Sequence, residues 1–377
     1  MSEYRVCTRC VMDTSAEDIT FDDNGVCNYC TEFVGRLDRP HNPELEQFGT
    51  MEKFLAEVKR SARGKEYDCI LGVSGGVDSS YALLLAVQLG LKPLAVHLDN
   101  GWNSELASHN IGNLVSKLGV DLYTHVIDWE ENRDLQRSFF SANVIDIELL
   151  MDNAMLAVNY QQAARYGLKY ILSGTNTATE GLRMPAAWNH NKYDVRNIRA
   201  IQKRFGTHKI KTHPLFSTMD RIWYGSVRGI RWVRFLDFTK YVKSEALEAL
   251  KREVGYKPYP YKHYESVFTR FYQAVILPRK FGYDKRRVHL SALVVTGQMA
   301  RCDALELLTH SPYPDPEQEA QDLRFVKKKL GFTDEQFEAY LRAPVVRHEA
   351  FPSEKKLWDM LDAARRVLSR SRLKLAS

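Results

Sequence analysis

The residues Ser74-Gly75-Gly76-Val77-Asp78-Ser79-Ser80, set between an apolar run and a helical pattern, have the makeup of a phosphate-holding turn. Gly75 and Gly76 let backbone N–H groups approach an anion with no Cβ in the way, and the following helix offers its positive end. Ser74, Ser79 and Ser80 add hydroxyl donors. Asp78, at the helix start, can orient the loop or a Mg²⁺-bound phosphate. Neither G-x-x-x-x-G-K-[ST] nor G-x-G-x-x-G is present at the first strand, so the loop belongs to neither of those nucleotide-binding types. A second constellation precedes it. Cys7-x₂-Cys10 and Cys27-x₂-Cys30, separated by sixteen residues, have the spacing of a four-cysteine zinc ribbon. A closed four-thiolate site leaves no position for a substrate, so its expected role is structural, supplying folding energy to a unit with little core of its own, with an iron–sulfur cluster and a redox pair as the competing readings.

These residues need elements to hold them. Residues 1–50 form a first, ribbon-like unit ending in the linker Asp38-Arg39-Pro40-His41-Asn42-Pro43. Residues 51–205 then alternate strand and helix. Strands are expected at Cys69–Val73, Pro93–Leu98, Leu122–Ile127 and Tyr170–Ser173, with helices at Tyr81–Leu89, Ser104–Leu118 and Asp146–Tyr166. Strands separated by single helices imply a doubly wound parallel sheet, α/β in class, with ligands beyond the carboxyl ends of its strands. The loops after Val73, Leu98 and Ser173 converge there. Residues 206–377 read as aromatic-rich and then mainly helical. Ser244 is the expected cap of a helix ending at Gly255, Thr333 with Gln336 forms a capping box, and Ser353 caps a final helix.

Composition narrows the class. Hydrophobic residues make up 44% and charged residues 27% of 377, the balance of an ordinary soluble protein. No run is long enough to span a bilayer and the first twenty residues are polar, so the expectation is a cytoplasmic protein with no membrane partner. A net charge of +6 permits a nucleic acid without requiring one. The cations cluster at Arg196–Arg234 and at Arg279, Lys280, Lys285, Arg286 and Arg287, interleaved with Trp223, Tyr224, Trp232 and Phe281, which suits the wall of an anion site.

The loop at Ser74–Ser80 resembles the SGGxDS loop of the PP-loop ATP pyrophosphatases. That resemblance covers about residues 51–200. It implies cleavage of ATP between the α and β phosphates, with pyrophosphate held by the loop. It also implies that His97, Asp99 and Asn100 cradle the adenosine and that Gly174, Thr175 and Asn176 face the reacting centre. A wider resemblance joins Cys7–Thr14, the loop at Ser74, Lys262–Phe271 and Leu277–Arg287. Together these are similar to N-acetyl sugar amidotransferases of surface-polysaccharide (lipopolysaccharide O-antigen) biosynthesis.

The implied reaction adenylates the acetamido oxygen of a nucleotide-linked sugar, expected to be a UDP-diacetamido uronic acid, and replaces it with ammonia. Neither Cys69 nor Cys302 sits in a recognisable glutaminase motif and the start Met1-Ser2 offers no cysteine nucleophile. Ammonia is therefore expected from another protein, and the resemblance implies that this is a separate glutaminase paired with a cyclase-like barrel protein. Asp78, Lys262, Glu265 and Arg270 are the candidate catalytic residues, with Glu180 a weaker alternative proton acceptor. His263, Arg279 and Lys280 are the candidates for substrate binding. ATP, Mg²⁺ and structural Zn²⁺ are the implied cofactors. Two rivals stand beside this reading: a tRNA-modifying thiolase, whose functional cysteine pair here could only be Cys69 and Cys302, and a non-catalytic adenine-nucleotide-binding scaffold.

Overall fold

Four parallel strands stand where the apolar runs place them: β1 Cys69–Gly72, β2 Pro93–Asp99, β3 Leu122–Val126 and β4 Tyr170–Ser173. A fifth, β5 Arg231–Arg234, pairs with β4 and completes the order β3-β2-β1-β4-β5, every neighbour parallel. The molecule is thus α/β with a doubly wound sheet. The sheet draws its last strand from beyond residue 205. The run Arg-Trp-Val-Arg is too short and too charged to announce itself, and tertiary packing decides it. The computed structural model describes residues 3–37, 43–260, 264–313, 315–361 and 363.

The helices in chain order are α1 Asn28–Leu37, α2 Pro43–Phe48, α3 Met51–Ser61, α4 Val77–Gln88, α5 Glu105–Leu118, α6 Trp129–Ala142, α7 Leu149–Arg165 and the short α8 Thr177–Glu180. They continue as α9 Val195–Phe205, α10 Thr218–Ile222, α11 Lys243–Val254, α12 Val267–Phe271, α13 Arg286–Val295, α14 Arg301–Thr309, α15 Pro316–Leu330 and α16 Asp334–Arg342. Two helices, α6 and α7, lie between β3 and β4 where one is expected. Ser104 caps α5 by accepting from the N–H of Ala107 at 3.1 Å, and Gly119 closes it in the left-handed region at φ 61°. The Thr333–Gln336 capping box forms as expected. Ser244 is no cap: α11 begins two residues earlier than expected, with Val242 at its N-cap, so Ser244 falls inside the first turn. Ser353 accepts the N–H of Lys355 at 3.0 Å.

Alternation along the strands divides the core. Cys69 and Leu71 face α3, α4, α5 and α11, while Ile70 faces α7. A separate core of α6, α9, α12, α15 and α16 surrounds Phe139, Phe268, Phe271 and Tyr272. The cysteine unit rests on Leu182, Trp188, Val288 and Ala292. Arg301 fastens it by donating to the carbonyls of Cys7 (2.7 Å) and Cys10 (3.0 Å).

Candidate functional site

The chain runs from β1 to β2 to β3 outward, then returns to place β4 on the other side of β1. The switch point lies between β1 and β4, where open α/β sheets bind ligands. Here the Ser74–Ser79 loop leaves β1 and enters α4. Ser74 and Ser79 brace each other, their hydroxyl oxygens 3.1 Å apart, and Ser79 accepts the N–H of Ser74 at 3.2 Å. Gly75 has φ +83°, and the backbone oxygen of Ala107 stands 3.2 Å from where a Cβ would project. Hydroxyls of Tyr256 (2.8 Å) and Tyr259 (3.1 Å) both donate to the Gly75 carbonyl. The hydroxyl of Tyr241 donates to Asp78 Oδ1. Burial, with the Asp78 charge beside it, keeps the Tyr241 phenol protonated well above the ordinary tyrosine range. These three tyrosines carry no motif and escape sequence reasoning.

A cavity of about 710 Å³ opens over this loop. Ser74, Gly76, Asp78, Ser79, His97, Asn100, Gly174 and Thr175 line it, together with Glu180 and Glu265. His97 donates from Nδ1 to the Val73 carbonyl at 2.9 Å, so its Nε2 accepts from Asn103 at 2.8 Å. Glu265 arrives because Asn103 bridges Ser266 and the Ser104 N–H donates to the Glu265 carbonyl at 2.9 Å. Its Oε1 stands 3.6 Å from where a Cβ on Gly76 would be.

Several expected residues lie elsewhere. Ser80 is wholly buried and off the cavity, because one helical step turns it from the loop toward the core. Asp99 does not line the cavity. It accepts the N–H of Gly101 at 2.9 Å and shapes the turn. Asn176 is 1% exposed and caps α8, accepting from Thr179 at 2.8 Å. Arg270 forms a two-pronged pair with Asp322 of α15, one bond at 2.7 Å, and borders a smaller neighbouring cavity. Arg279 pairs with Glu319. Lys280 donates to the carbonyls of Tyr340 and Ala343, and burial pushes its pKa down to about 8. Neither of them lines the cavity; of that basic cluster, Lys285 does. Trp232 lines it as well. Lys262 and His263 fall outside the described residues, as does the linker stretch 38–42.

The far wall comes from α7 and the segments near Lys192 and Lys285. Lys192 Nζ lies 2.7 Å from Asp146 and 2.9 Å from Asp152. Burial disfavours the Asp146 charge, yet Lys192 and Lys285 outweigh it and hold the carboxyl at about 2. Behind Asp146, His190 and His348 stack at 4.2 Å, and His348 Nε2 accepts the Asp146 N–H at 3.2 Å. Burial pushes the pKa of His348 down to about 3 and that of His213 to about 4. An unfolded histidine takes a proton near 6.5. Their contribution to stability is therefore full above about pH 6.5 and is lost as pH falls toward 4 and then 3, because only the unfolded chain accepts those protons. Thermal melts at pH 7.5 and 5 are expected to differ less in His213→Leu than in the native chain; equal differences would refute this.

Among the described residues, one group can hold a metal: Cys7, Cys10, Cys27 and Cys30, with all four sulfurs within 4.8 Å of one another. Cys7–Cys30 and Cys10–Cys27 are each 3.8 Å apart, too far for disulfides. A tetrahedral zinc with bonds of about 2.3 Å has sulfur–sulfur edges of about 3.8 Å. N–H groups of Arg9, Cys10 and Cys27 point at Cys7 Sγ and that of Met12 at Cys10 Sγ, the pattern that stabilises thiolates. The residues fit the ion. Cys69 is wholly buried and burial keeps its thiol neutral, while Cys302 is exposed on α14; neither lines the cavity. No helix among the described residues is long and apolar enough to cross a membrane.

Fold and site define a doubly wound α/β protein with a serine–glycine loop at its switch point and a four-cysteine unit docked beside it. Residues 265–365 match the family described as LPS biosynthesis protein WbpG-like, C-terminal domain. An uncharacterized protein of Methanocaldococcus jannaschii is 31% identical over 119 residues, which are 31% of this chain and 40% of that protein's length. The match thus spans less than half of that relative. NMN synthetase from Francisella tularensis aligns at 18% identity and a TM-score of 0.27, over 63% of this chain and 98% of that one.

Proposed function

We propose that the chain is an ATP-dependent, AMP-forming amidotransferase of surface-polysaccharide biosynthesis. Its substrate is the acetamido group of a nucleotide-linked N-acetyl sugar, a UDP-diacetamido uronic acid. One observation carries the reading. The Ser74–Ser79 loop and residues of the segment matched to the lipopolysaccharide-biosynthesis domain, among them Glu265, Gln273 and Lys285, line the same cavity.

In this reading the ATP phosphates lie on the loop, met by its N–H groups, by Ser74 and Ser79, and by the positive end of α4. Adenosine rests against the turn after β2, near His97 and Asn100. Mg²⁺, a hard ion that takes oxygen ligands, neutralises phosphate charge when bound, and Asp78 is the carboxylate the loop offers it. The acetamido oxygen attacks the α-phosphorus, the bond to the bridging oxygen breaks and pyrophosphate departs. Ammonia then adds to the activated carbon and loses a proton to Glu265, which lines the cavity beside Gly76 of the loop, and AMP leaves with the original oxygen. The ammonia comes from a separate glutaminase with its cyclase-like barrel partner.

Incubation with ATP, ammonium and a panel of UDP-diacetamido sugars tests this by mass spectrometry. Exchange of O for NH lowers the sugar mass by about one unit, with AMP and pyrophosphate in equal amount. An unchanged panel with no AMP formed would overturn it. Tight, salt-sensitive tRNA binding would favour the thiolase rival instead.

A further inference from the structure

The loop wall of the cavity supplies N–H groups, hydroxyls and a helix N-terminus, all suited to anions. The opposite wall has a different chemistry. Glu148, Met151, Asp152 and Met155 recur at helical spacing, so they form one stripe along the cavity at the start of α7. Facing them are Lys192, Gln273 and Lys285, each of which also lines the cavity. Gln273 Nε2 donates to Glu148 at 3.2 Å, and Lys285 Nζ lies 3.4 Å from the same carboxylate.

Three features define what this wall accepts. First, its charges cancel: of the residues that line it, Lys192 and Lys285 stand against Glu148 and Asp152, with Asp146 buried behind Lys192. A wall with no cationic excess does not gather phosphate. Second, it offers acceptors and donors side by side, carboxylates for hydroxyl and amide N–H groups, lysine and glutamine for hydroxyl and carbonyl oxygens. Third, Met151 and Met155 put polarizable thioethers between these groups, which suits methyl and ring C–H surfaces. Holding charged pairs in a half-buried wall costs more than it returns in stability. Lys285 is 6% exposed and Asp146 fully buried, so the arrangement is better explained by preorganised recognition.

We infer that the Glu148–Met151–Asp152 face of α7, with Lys192, Gln273 and Lys285, is the acceptor subsite and takes a hydroxyl- and amide-bearing sugar ring, its lysines meeting the single ring carboxylate. The inference rests on the amidotransferase reading above and assigns the sugar to this wall instead of to the surface cations Arg279 and Lys280. It divides the cavity, with triphosphate on the loop and the acetamido sugar opposite.

Dissociation constants for UDP-diacetamido uronic acid and for a non-hydrolysable ATP analogue are measured separately on the native chain, Asp152→Asn and Gln273→Ala. Asp152 has a side chain 46% exposed, so its replacement leaves the fold intact. The sugar constant is expected to rise about tenfold in each variant, as for loss of a hydrogen bond to a charged or buried group, and the analogue constant to stay within about twofold. An unchanged sugar constant overturns the subsite alone. A parallel loss of analogue binding assigns the wall to the nucleotide and overturns it too. A native chain that binds the analogue but no nucleotide sugar overturns the amidotransferase reading, and the subsite with it.

Discussion

Gly174→Ala is expected to lower turnover by about a hundredfold, although it adds a single methyl group. A Cβ at this position would stand 2.5 Å from both the Asp78 carbonyl carbon and the Ser79 nitrogen, and 2.6 Å from the Asp78 oxygen. All three are backbone atoms of the first turn of α4, so no rotamer change relieves the contact. Either β4 or the start of α4 must move, and the phosphate loop moves with the latter. Overpacking of this kind costs about 1–3 kcal/mol. A displacement of about 1 Å at a reacting centre costs about a hundredfold in rate. Gly112→Ala is the matched control. It lies within α5, nothing stands within 4 Å of its added Cβ, and a helical Gly→Ala exchange gains about 1 kcal/mol. The measurement is AMP release beside a thermal melt for each variant. Native turnover in Gly174→Ala would show that loop position does not govern the chemistry.

The sequence places Gly174 in a polar loop after a strand, and the resemblance turns that loop toward the reacting centre. Its contact with the first turn of α4 is visible only in the fold, and the reason for that is general. What repeats or punctuates locally could be read in advance: the apolar runs of β1 to β4, the Gly75-Gly76 turn, the Thr333 capping box and the paired cysteines. Each follows from residues a few positions apart. What depends on distant partners could not. Arg270 is a cation in a basic stretch until Asp322, far along the chain, engages it. Lys280 and Lys285 belong to one cluster, yet a π-helical run Tyr272–Phe281 and the turn beyond it send the first to the α16 carbonyls and the second into the cavity. Ser79 and Ser80 differ by one helical step of about 100°, enough to put one hydroxyl on the loop and the other in the core. The hydroxyls of Tyr241, Tyr256 and Tyr259 reach the loop from a segment more than a hundred and sixty residues away.

Cys27→Ser carries the largest expected loss of stability. The sulfur packing described above fits one tetrahedral ion, and all four thiols are wholly buried. Replacing Cys27 removes a soft thiolate and breaks the pair with Cys10 that lies 3.8 Å away. A structural zinc site contributes its binding free energy to folding, on the order of 10 kcal/mol in small isolated units, so losing the ion unfolds the unit that depends on it. The consequence extends beyond the ribbon. Arg301 holds the Cys7 and Cys10 carbonyls, Arg287 donates to the Val11 carbonyl at 2.7 Å and pairs with Asp13 at 3.0 Å, and Ser291 accepts the Val11 N–H at 3.2 Å. Helix α13 therefore loses a packed surface. Because α13 also carries His289 into the cavity, the variant is expected to weaken sugar binding as well as stability. Elemental analysis is expected to give one zinc per native chain and none in Cys27→Ser, with melting lowered by about 10 °C, the shift that a loss on the order of 10 kcal/mol produces in a chain of this size. Cys69→Ser separates the causes. It replaces a wholly buried thiol in β1, outside the metal group, so it is expected to retain its zinc. Full zinc content in Cys27→Ser, or iron in place of zinc in the native chain, would refute the assignment of the ion.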